Sequence, residues 1–370
     1  KRNFSNQKNI DDFNVAIIGA GTIGLSIAEN LLQEASKLSI PATEVKITII
    51  AEEFYDKTTS YGSGGLWEPY QIAGTPSEKV NEWGKESFDH FSKLFYGPDA
   101  ALAGVALCTA YSLLESHEDH SLPTWRHIVP NFKSLFPEDI LKLGLPSKYV
   151  AGYTFGTFVV DQKYYMKYQM SKLKAANLKF VTKRVHNIKT FLTEENFDCV
   201  VNCTGLGALT AVKDESMYPI RGQVLRVSAP WVKDVWFFGT SYVIPNVDSV
   251  VLGGTAQKGD FDLRVRASDT ARILQNVSQV LPALKTAPLQ GAWVGLRPGR
   301  APLRLDSEIV EATNGKEQRL LAHCYGHGGS GITLSMGCAG QVVRDHILPF
   351  LKRRKAFPLA AKTAKVMSKL

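Results

Sequence analysis

Val15-Ala16-Ile17-Ile18-Gly19-Ala20-Gly21-Thr22-Ile23-Gly24 is the stretch that decides the fold. Four consecutive apolar residues predict a strand buried on both faces, and Ile23, Leu25, Ile27 and Leu31 then recur at helical spacing. The glycines between them match G-x-G-x-x-G in the strand-to-helix context that the motif requires. Such a turn lets the backbone approach a pyrophosphate, whose charge is stabilised by the helix N-terminus. A second strand over 45–50 completes a βαβ unit, and Glu52 and Glu53 at its end are placed to accept hydrogen bonds from an adenosine ribose. They come later than the roughly 20 residues usual for the motif, which an insertion around 36–41 explains. FAD and NAD sites share this turn, so it does not choose between them. A glycine turn without any nucleotide is the competing reading, and the coincidence of strand, glycines, helix and acidic end argues against it.

Outward from this unit the pattern changes. Residues 1–12 are polar, mixed in charge and poor in apolar side chains, the composition of a disordered leader. Residues 55–65 are rich in Thr, Ser and Gly and read as a loop, followed by a less regular segment with Trp67, Trp83 and Trp125. Strand-like runs at 155–160 and 180–185 flank a helix-like 164–176, and Cys199-Val200-Val201-Asn202 is another buried-strand run, ending in Thr204-Gly205. Short β-rich runs at 223–227, 241–244 and 250–253 predict an antiparallel sheet. Near the end, 319–323 reads as a strand, 326–331 as a glycine turn and 332–346 as a helix. The return of the α/β pattern predicts a nucleotide-binding domain assembled from 13–70, 153–210 and 297–350. A second domain then covers 71–152 and 211–296, with a tail over 351–370.

The bulk composition excludes several classes. The chain has 370 residues, 44% of them hydrophobic and 21% charged, which is ordinary globular composition and enough for two packed units. Its apolar runs fall well short of the roughly 20 residues that cross a bilayer, so no membrane span is expected, and no secretory signal is visible. The five cysteines, Cys108, Cys199, Cys203, Cys324 and Cys338, are scattered and read as reduced thiols of an intracellular protein. The formal charge of +8 would suit nucleic acid, but Lys and Arg are dispersed and Arg353 with its neighbours forms only a short tail cluster. No nucleic-acid partner is expected, and an anionic cofactor or substrate accounts for part of the charge. His117 and His120 lack further convergent ligands, so no metal is expected. His323, His327, Cys203 and Cys324, which have no orienting third group, read as packing residues.

Eight motifs follow one another along the chain: VAIIGAGTIGLS (15–26), TTSYGSGGLWEPY (58–70), VVNCTGLG (200–207), PIRGQVLRV (219–227), YVIP (242–245), LGGTAQKGDF (252–261), VGLRPGR (294–300) and YGHGGSGIT (325–333). With them the chain from Phe13 to about Phe350 resembles the D-amino acid oxidase and D-aspartate oxidase family of FAD-dependent enzymes. The resemblance implies an α/β, Rossmann-like FAD-binding domain assembled from discontinuous segments, plus an α+β substrate domain with a mostly antiparallel sheet. It implies that FAD meets Gly19, Ala20, Gly21, Thr22, Ile23 and Gly24 in the first turn and Glu52 and Glu53 at the adenosine. Thr58, Thr59 and Ser60 would lie near the phosphates and Gly65 and Leu66 near the flavin, with Val185, Thr204 and Gly205 along the same channel. Gly328, Gly329, Gly331, Ile332 and Thr333 would sit against the pyrimidine edge, where the following helix offers the positive end of its dipole.

For the substrate, the resemblance implies Arg297 and Tyr242 as the residues that carry the reaction, with Gly329 and Ser330 completing the contacts. A planar guanidinium holds an amino acid carboxylate by two parallel hydrogen bonds, and a tyrosine hydroxyl adds a third. Hydride would leave the α-carbon for flavin N5 without a protein acid or base, and the imino acid would hydrolyse to a 2-oxo acid and ammonia while oxygen becomes hydrogen peroxide. Without the family, Arg297 fits a surface or salt-bridge arginine and Tyr242 a half-buried strand residue.

The sequence departs from the family pattern in three places. Where mammalian-type D-amino acid oxidases carry a second tyrosine there is Phe238, and the lid between Trp231 and Tyr242 is short, as in D-aspartate oxidases. Aspartate-type enzymes carry an arginine after the Gly-Gly-Thr triplet; here that residue is Ala256, and the lid has Lys233 but no arginine. Neutral D-amino acids are therefore expected, although Gln257-Lys258-Gly259-Asp260 resembles the aspartate branch, and a D-aspartate oxidase is the alternative. A nicotinamide-dependent dehydrogenase and a non-catalytic dinucleotide-binding protein are readings from other classes. Ser368-Lys369-Leu370 matches a peroxisomal address, which makes the import receptor an expected partner. Self-association as a homodimer is left open.

Overall fold

The computed structural model describes residues 12–41, 44–116, 121–312 and 317–354. His117, His120 and Ser368-Lys369-Leu370 lie outside them. Among the described residues no helix is long and apolar enough to cross a membrane, no group of three or more His, Cys, Asp or Glu is placed to hold a metal, and the five cysteines are free.

The strands join into one 14-stranded sheet. At one end lie the parallel strands: Phe13–Ile18 stands between Val45–Ala51 and Cys199–Asn202, with Lys179–Thr182 beyond the former and Gln318–His327 beyond the latter. Their uninterrupted apolar runs follow from burial on both faces, since helices cover this part of the sheet. The helix Thr22–Lys37 packs on one face together with Gly331–Gln341, where Asn30 Nδ2 approaches Met336 Sδ. The chain thus leaves the parallel sheet and returns to it from distant stretches, the discontinuous α/β layout that the sequence predicts.

The other end is antiparallel but for one pair. Its order is Lys133–Leu135, Ala151–Val160, Val105–Leu114, Val235–Phe238, Ser241–Pro245, Val250–Gly253, Tyr218–Val227. Ala151–Val160 pairs with Val105–Leu114, so this run belongs to the antiparallel region, and the parallel strands resume at Lys179. One strand of 23 residues, Leu289–Glu311, joins the halves: its first part pairs with Tyr218–Val227 and its second with Gln318–His327, across a register shift between Gly299 and Arg304.

Two elements differ from the sequence reading. The irregular segment after Trp67 contains a 19-residue helix, Ser77–Phe95, whose Val80, Trp83, Ser87, Phe88 and Phe91 are buried. Its Ser87 hydroxyl accepts the backbone N–H groups of Met336 and Gly337, locking it to the C-terminal helix. That helix also ends earlier than expected, at Gln341, where a π-helical turn over Val342–Ile347 takes over.

The segment between Gly254 and Ala267 is held by one fully buried cation. Arg221 donates to Asp269 at 2.8 Å, to Gln257 at 2.6 Å and to the carbonyls of Asp262 and Arg264. Removing one member of such a pair leaves the other charge uncompensated in the interior. Asp269→Ala is therefore expected to lose roughly 3–5 kcal/mol in denaturant unfolding; a loss under about 1 kcal/mol would mean that the neutral acceptors suffice for Arg221.

Candidate functional site

One cavity of about 590 Å³ runs from the first glycine turn to the junction of the two sheet regions. This lies within the range of roughly 300–1,000 Å³ usual for ligand sites. Gly19, Ala20, Gly21, Thr22, Ile23, Glu52, Glu53, Thr58, Thr59, Ser60, Gly65, Leu66, Val185, Thr204, Gly205, Tyr242, Arg297, Gly328, Gly329, Gly331 and Ile332 all line it. The fold therefore brings together nearly every residue that the sequence singles out.

At the first turn, Gly19 has φ +116°, and a Cβ there would fall 2.3 Å from the Cys203 carbonyl oxygen. Thr22, the first residue of the helix, donates its N–H to Ser60 Oγ at 3.0 Å, while its own hydroxyl is buried without a hydrogen-bond partner. No acidic residue occupies the first helical turn, so the positive end of the dipole is uncompensated from within. An unpartnered donor, a side-chain-free approach and a helix N-terminus together fit a pyrophosphate. Gly24 has a different role: it does not line the cavity, and its missing Cβ, which would lie 2.0 Å from the Gly19 carbonyl oxygen, lets the helix close onto the turn. At the far end of this channel Glu52 pairs with Arg184 at 3.1 Å and Glu53 with Lys57 at 3.4 Å, all four on the surface. Exposed pairs of this kind are weak and open easily to a ligand hydroxyl.

The loop after Thr58 is pinned from the antiparallel side. Arg226, itself buried, donates to the carbonyls of Gly62 and Ser63, and Asn246 donates to that of Gly64 at 3.0 Å. Gly62 and Gly295 leave space for the Trp293 ring, which would collide with a Cβ at either position. Trp293 and Phe237 are cavity-lining aromatics that the motifs do not single out. Phe238 points the other way into the hydrophobic core, so the aromatic facing the cavity from this short lid is its neighbour Phe237.

Arg297 projects from the long strand, and Gly222 on the adjoining strand leaves room for it: a Cβ at 222 would lie 2.4 Å from Nη1. The guanidinium donates to the Thr255 carbonyl at 2.9 Å, and its other donors have no hydrogen-bond or ion-pair partner among the described residues. The Tyr242 ring packs over Gly253 and Gly254, and its hydroxyl likewise bonds to no described residue. Tyr70 lies beside them, with Arg297 5.9 Å from its ring centre. Burial raises the Tyr70 pKa, and the neighbouring Tyr242 and Glu68 add to this while Arg297 opposes it.

Two expected ligand contacts take another role. Ser330 does not line the cavity; its hydroxyl accepts the Tyr70 N–H at 2.7 Å and donates to the Tyr70 carbonyl at 2.8 Å. Thr333 does the same for Glu68, at 3.1 and 2.8 Å. Both hydroxyls are spent on holding the Glu68–Tyr70 backbone against the C-terminal helix. Ala256 and Lys233 are exposed and outside the lining. Cys203, Cys324 and His327 reach the lining, whereas His323 is buried with Asn202 and Glu308.

A profile of the DAO family, described as FAD dependent oxidoreductase, matches residues 14–344. The chain is 33% identical to a D-aspartate oxidase of Homo sapiens over 338 residues, covering 90% of this chain and 95% of that one. It is 33% identical to a D-amino acid oxidase of Dugesia ryukyuensis over 340 residues, covering 90% and 98%. Among solved structures, a glycine oxidase from Bacillus cereus ATCC 14579 superposes with a TM-score of 0.71 at 19% identity over 90% of this chain and 94% of that one, a likeness of fold.

A Cβ at Gly21 would stand 3.2 Å from Ser60 Oγ, in the space where a pyrophosphate approaches. Gly21→Val is accordingly expected to purify folded, by far-UV circular dichroism, with less than about a tenth of the flavin absorbance per chain of the unaltered protein. Full flavin content in that variant would remove the turn from the cofactor site.

Proposed function

The chain belongs to the DAO family of FAD-dependent oxidoreductases, and from that premise we propose that it oxidatively deaminates D-amino acids, with neutral side chains favoured over acidic ones, to 2-oxo acids, ammonia and hydrogen peroxide. The observation that carries this reading is the pair of unsatisfied donors, the Arg297 guanidinium and the Tyr242 hydroxyl, in the same cavity as the glycine turn.

FAD, when bound, supplies the hydride acceptor. Arg297 binds the substrate carboxylate through paired N–H donors, and Tyr242 adds its hydroxyl to the same group, so the α-carbon is fixed by contacts that take no part in proton transfer. Leu66, Val224, Ile244, Trp293 and Ile332 surround the site with apolar surface. This excludes water and favours the uncharged amine over the ammonium, leaving a nitrogen lone pair to assist hydride departure. Gly328 and Gly329 approach the Tyr70–Gln71 backbone closely, so the C-terminal turn forms one wall without side chains.

The preference against acidic side chains rests on the lining cations. Among the described residues these are Arg297, committed to the α-carboxylate, and Lys183 and Arg184, which belong to the Glu52 end of the channel. A second substrate carboxylate would be desolvated without a fork to receive it. The D-aspartate oxidase alternative requires a cation from elsewhere. Peroxisomal import through a receptor for Ser368-Lys369-Leu370 and a homodimeric state remain parts of this proposal that rest on sequence alone.

Arg297→Met is expected to keep its flavin spectrum and to lose about a thousandfold or more in kcat/KM for a neutral D-amino acid, measured by peroxide release. Near-normal turnover would exclude Arg297 from the carboxylate site. With the unaltered enzyme, D-alanine or D-methionine should exceed D-aspartate in kcat/KM by about tenfold or more; the reverse order would establish the aspartate reading instead.

A further inference from the structure

We propose that Glu68 is a specificity-determining residue that binds the far end of the substrate, so that this site accepts D-amino acids with a cationic side chain in preference to their neutral counterparts. The inference rests on the oxidase reading and names the substrate class of the same cavity.

The geometry of the Glu68 backbone leaves little freedom. Its N–H and C=O are both bonded to the Thr333 hydroxyl, at 3.1 and 2.8 Å. On one side, fully buried Trp67 is held through its indole N–H to Gly84 and through its carbonyl to Thr157; on the other, Tyr70 is clamped by Ser330. The carboxyl is thereby delivered into the cavity, where it has no hydrogen bond and no ion pair among the described residues. It keeps some access through the cavity itself, yet it is enclosed deeply enough that burial alone pushes it up to about 8. Structural carboxyls inside proteins are paired or hydrogen-bonded, because an unpaired one costs several kcal/mol to desolvate. A carboxyl held open towards a ligand cavity is the arrangement of a group whose partner arrives with the ligand.

Two partners are available on an amino acid: the α-ammonium and a side-chain cation. The α-ammonium is attached to the same carbon as the carboxylate, so a group receiving it would stand close to Arg297, whose charge would favour the ionised carboxyl. Among the described residues no ion pair joins Glu68 to Arg297, whose contacts are the Thr255 carbonyl and the Tyr70 ring. Tyr70 stands two residues beyond Glu68 on the same clamped segment, and its ring centre lies 5.9 Å from the Arg297 guanidinium. Tyr153, on the strand Ala151–Val160, also feels the Glu68 charge and is pushed up to about 12, chiefly by burial. A substrate anchored at Arg297 and extended past the Tyr70 ring brings its distal end to a carboxyl flanked by two tyrosines. Aromatic faces and an unpaired carboxylate together favour an ammonium or guanidinium there.

The test compares D-lysine and D-arginine with D-norleucine and D-methionine, each by steady-state kcat/KM and by the apparent Kd from anaerobic flavin bleaching. The unaltered enzyme should favour the cationic set by about tenfold or more. In Glu68→Gln, the cationic-to-neutral ratio should fall by about tenfold or more, mostly through Kd. Glu68→Met serves as a second variant of similar volume, and the flavin spectrum reports that each variant is loaded and folded. A ratio that stays constant while both sets fall together would assign the carboxyl to the α-ammonium and overturn the proposal. A ratio that stays constant with neither set affected would exclude Glu68 from substrate contact and overturn it equally. If no D-amino acid bleaches the unaltered, yellow protein, the oxidase reading itself fails, a result distinct from either outcome at Glu68.

Discussion

The site depends on a strand that is hydrogen-bonded on both sides to different parts of the molecule. Leu289–Glu311 takes its register from Tyr218–Val227 through Gly299 and from Gln318–His327 beyond it. Arg297 therefore cannot shift along the sheet without breaking two ladders. A one-residue slip in a strand turns every side chain to the opposite face, so the direction of the guanidinium follows from backbone pairing before any ligand is present. Rigid placement of this kind reduces the ordering cost of substrate binding.

Around that strand, space is made by omission. Gly222 leaves room for the Arg297 guanidinium, Gly253 and Gly254 for the Tyr242 ring, Gly62 and Gly295 for Trp293, and Gly329 for Tyr70. Each of these glycines faces a large side chain that reaches the cavity, and together they are spread over five of the motifs. For Arg297, Tyr242 and Tyr70 one motif supplies the group and another its clearance, whereas Trp293 lies just outside the motifs. A substitution at such a glycine displaces its partner as surely as a change in the partner itself.

This pairing explains what the sequence discloses and what it hides. Val15 to Gly24 is legible because strand, turn and helix are local, and the glycines state their own reason. The motif YGHGGSGIT nominates Ser330 and Thr333 as readily as Gly329, because a motif carries no orientation; only the packing of the C-terminal helix turns their hydroxyls onto the Glu68–Tyr70 backbone. Phe238 and Phe237 exchange significance for the same reason, since alternation along a strand decides which one faces the core. The helix Ser77–Phe95 carries Val80, Trp83, Phe88 and Phe91 at helical spacing, but Gly84 and the aromatic residues obscure the pattern, and its stability comes from Ser87 and the C-terminal helix, 250 residues away in sequence. Glu68 stands inside a recognised motif and still escapes notice, because its importance lies in what its carboxyl lacks: a hydrogen-bond or ion-pair partner among the described residues.

The polar groups left open in this cavity form an ordered set. Thr22 offers a buried hydroxyl at the helix N-terminus, Arg297 and Tyr242 offer donors at the junction of the two sheet regions, and Glu68 offers a carboxyl on the same clamped segment as Tyr70. The buried Arg221, by contrast, is bonded to a carboxylate, two amides and two carbonyls. Open groups that line one cavity can take their partners from a ligand, and the Thr22 hydroxyl, the Arg297 and Tyr242 donors and the Glu68 carboxyl match an anionic cofactor end, a carboxylate and a cation.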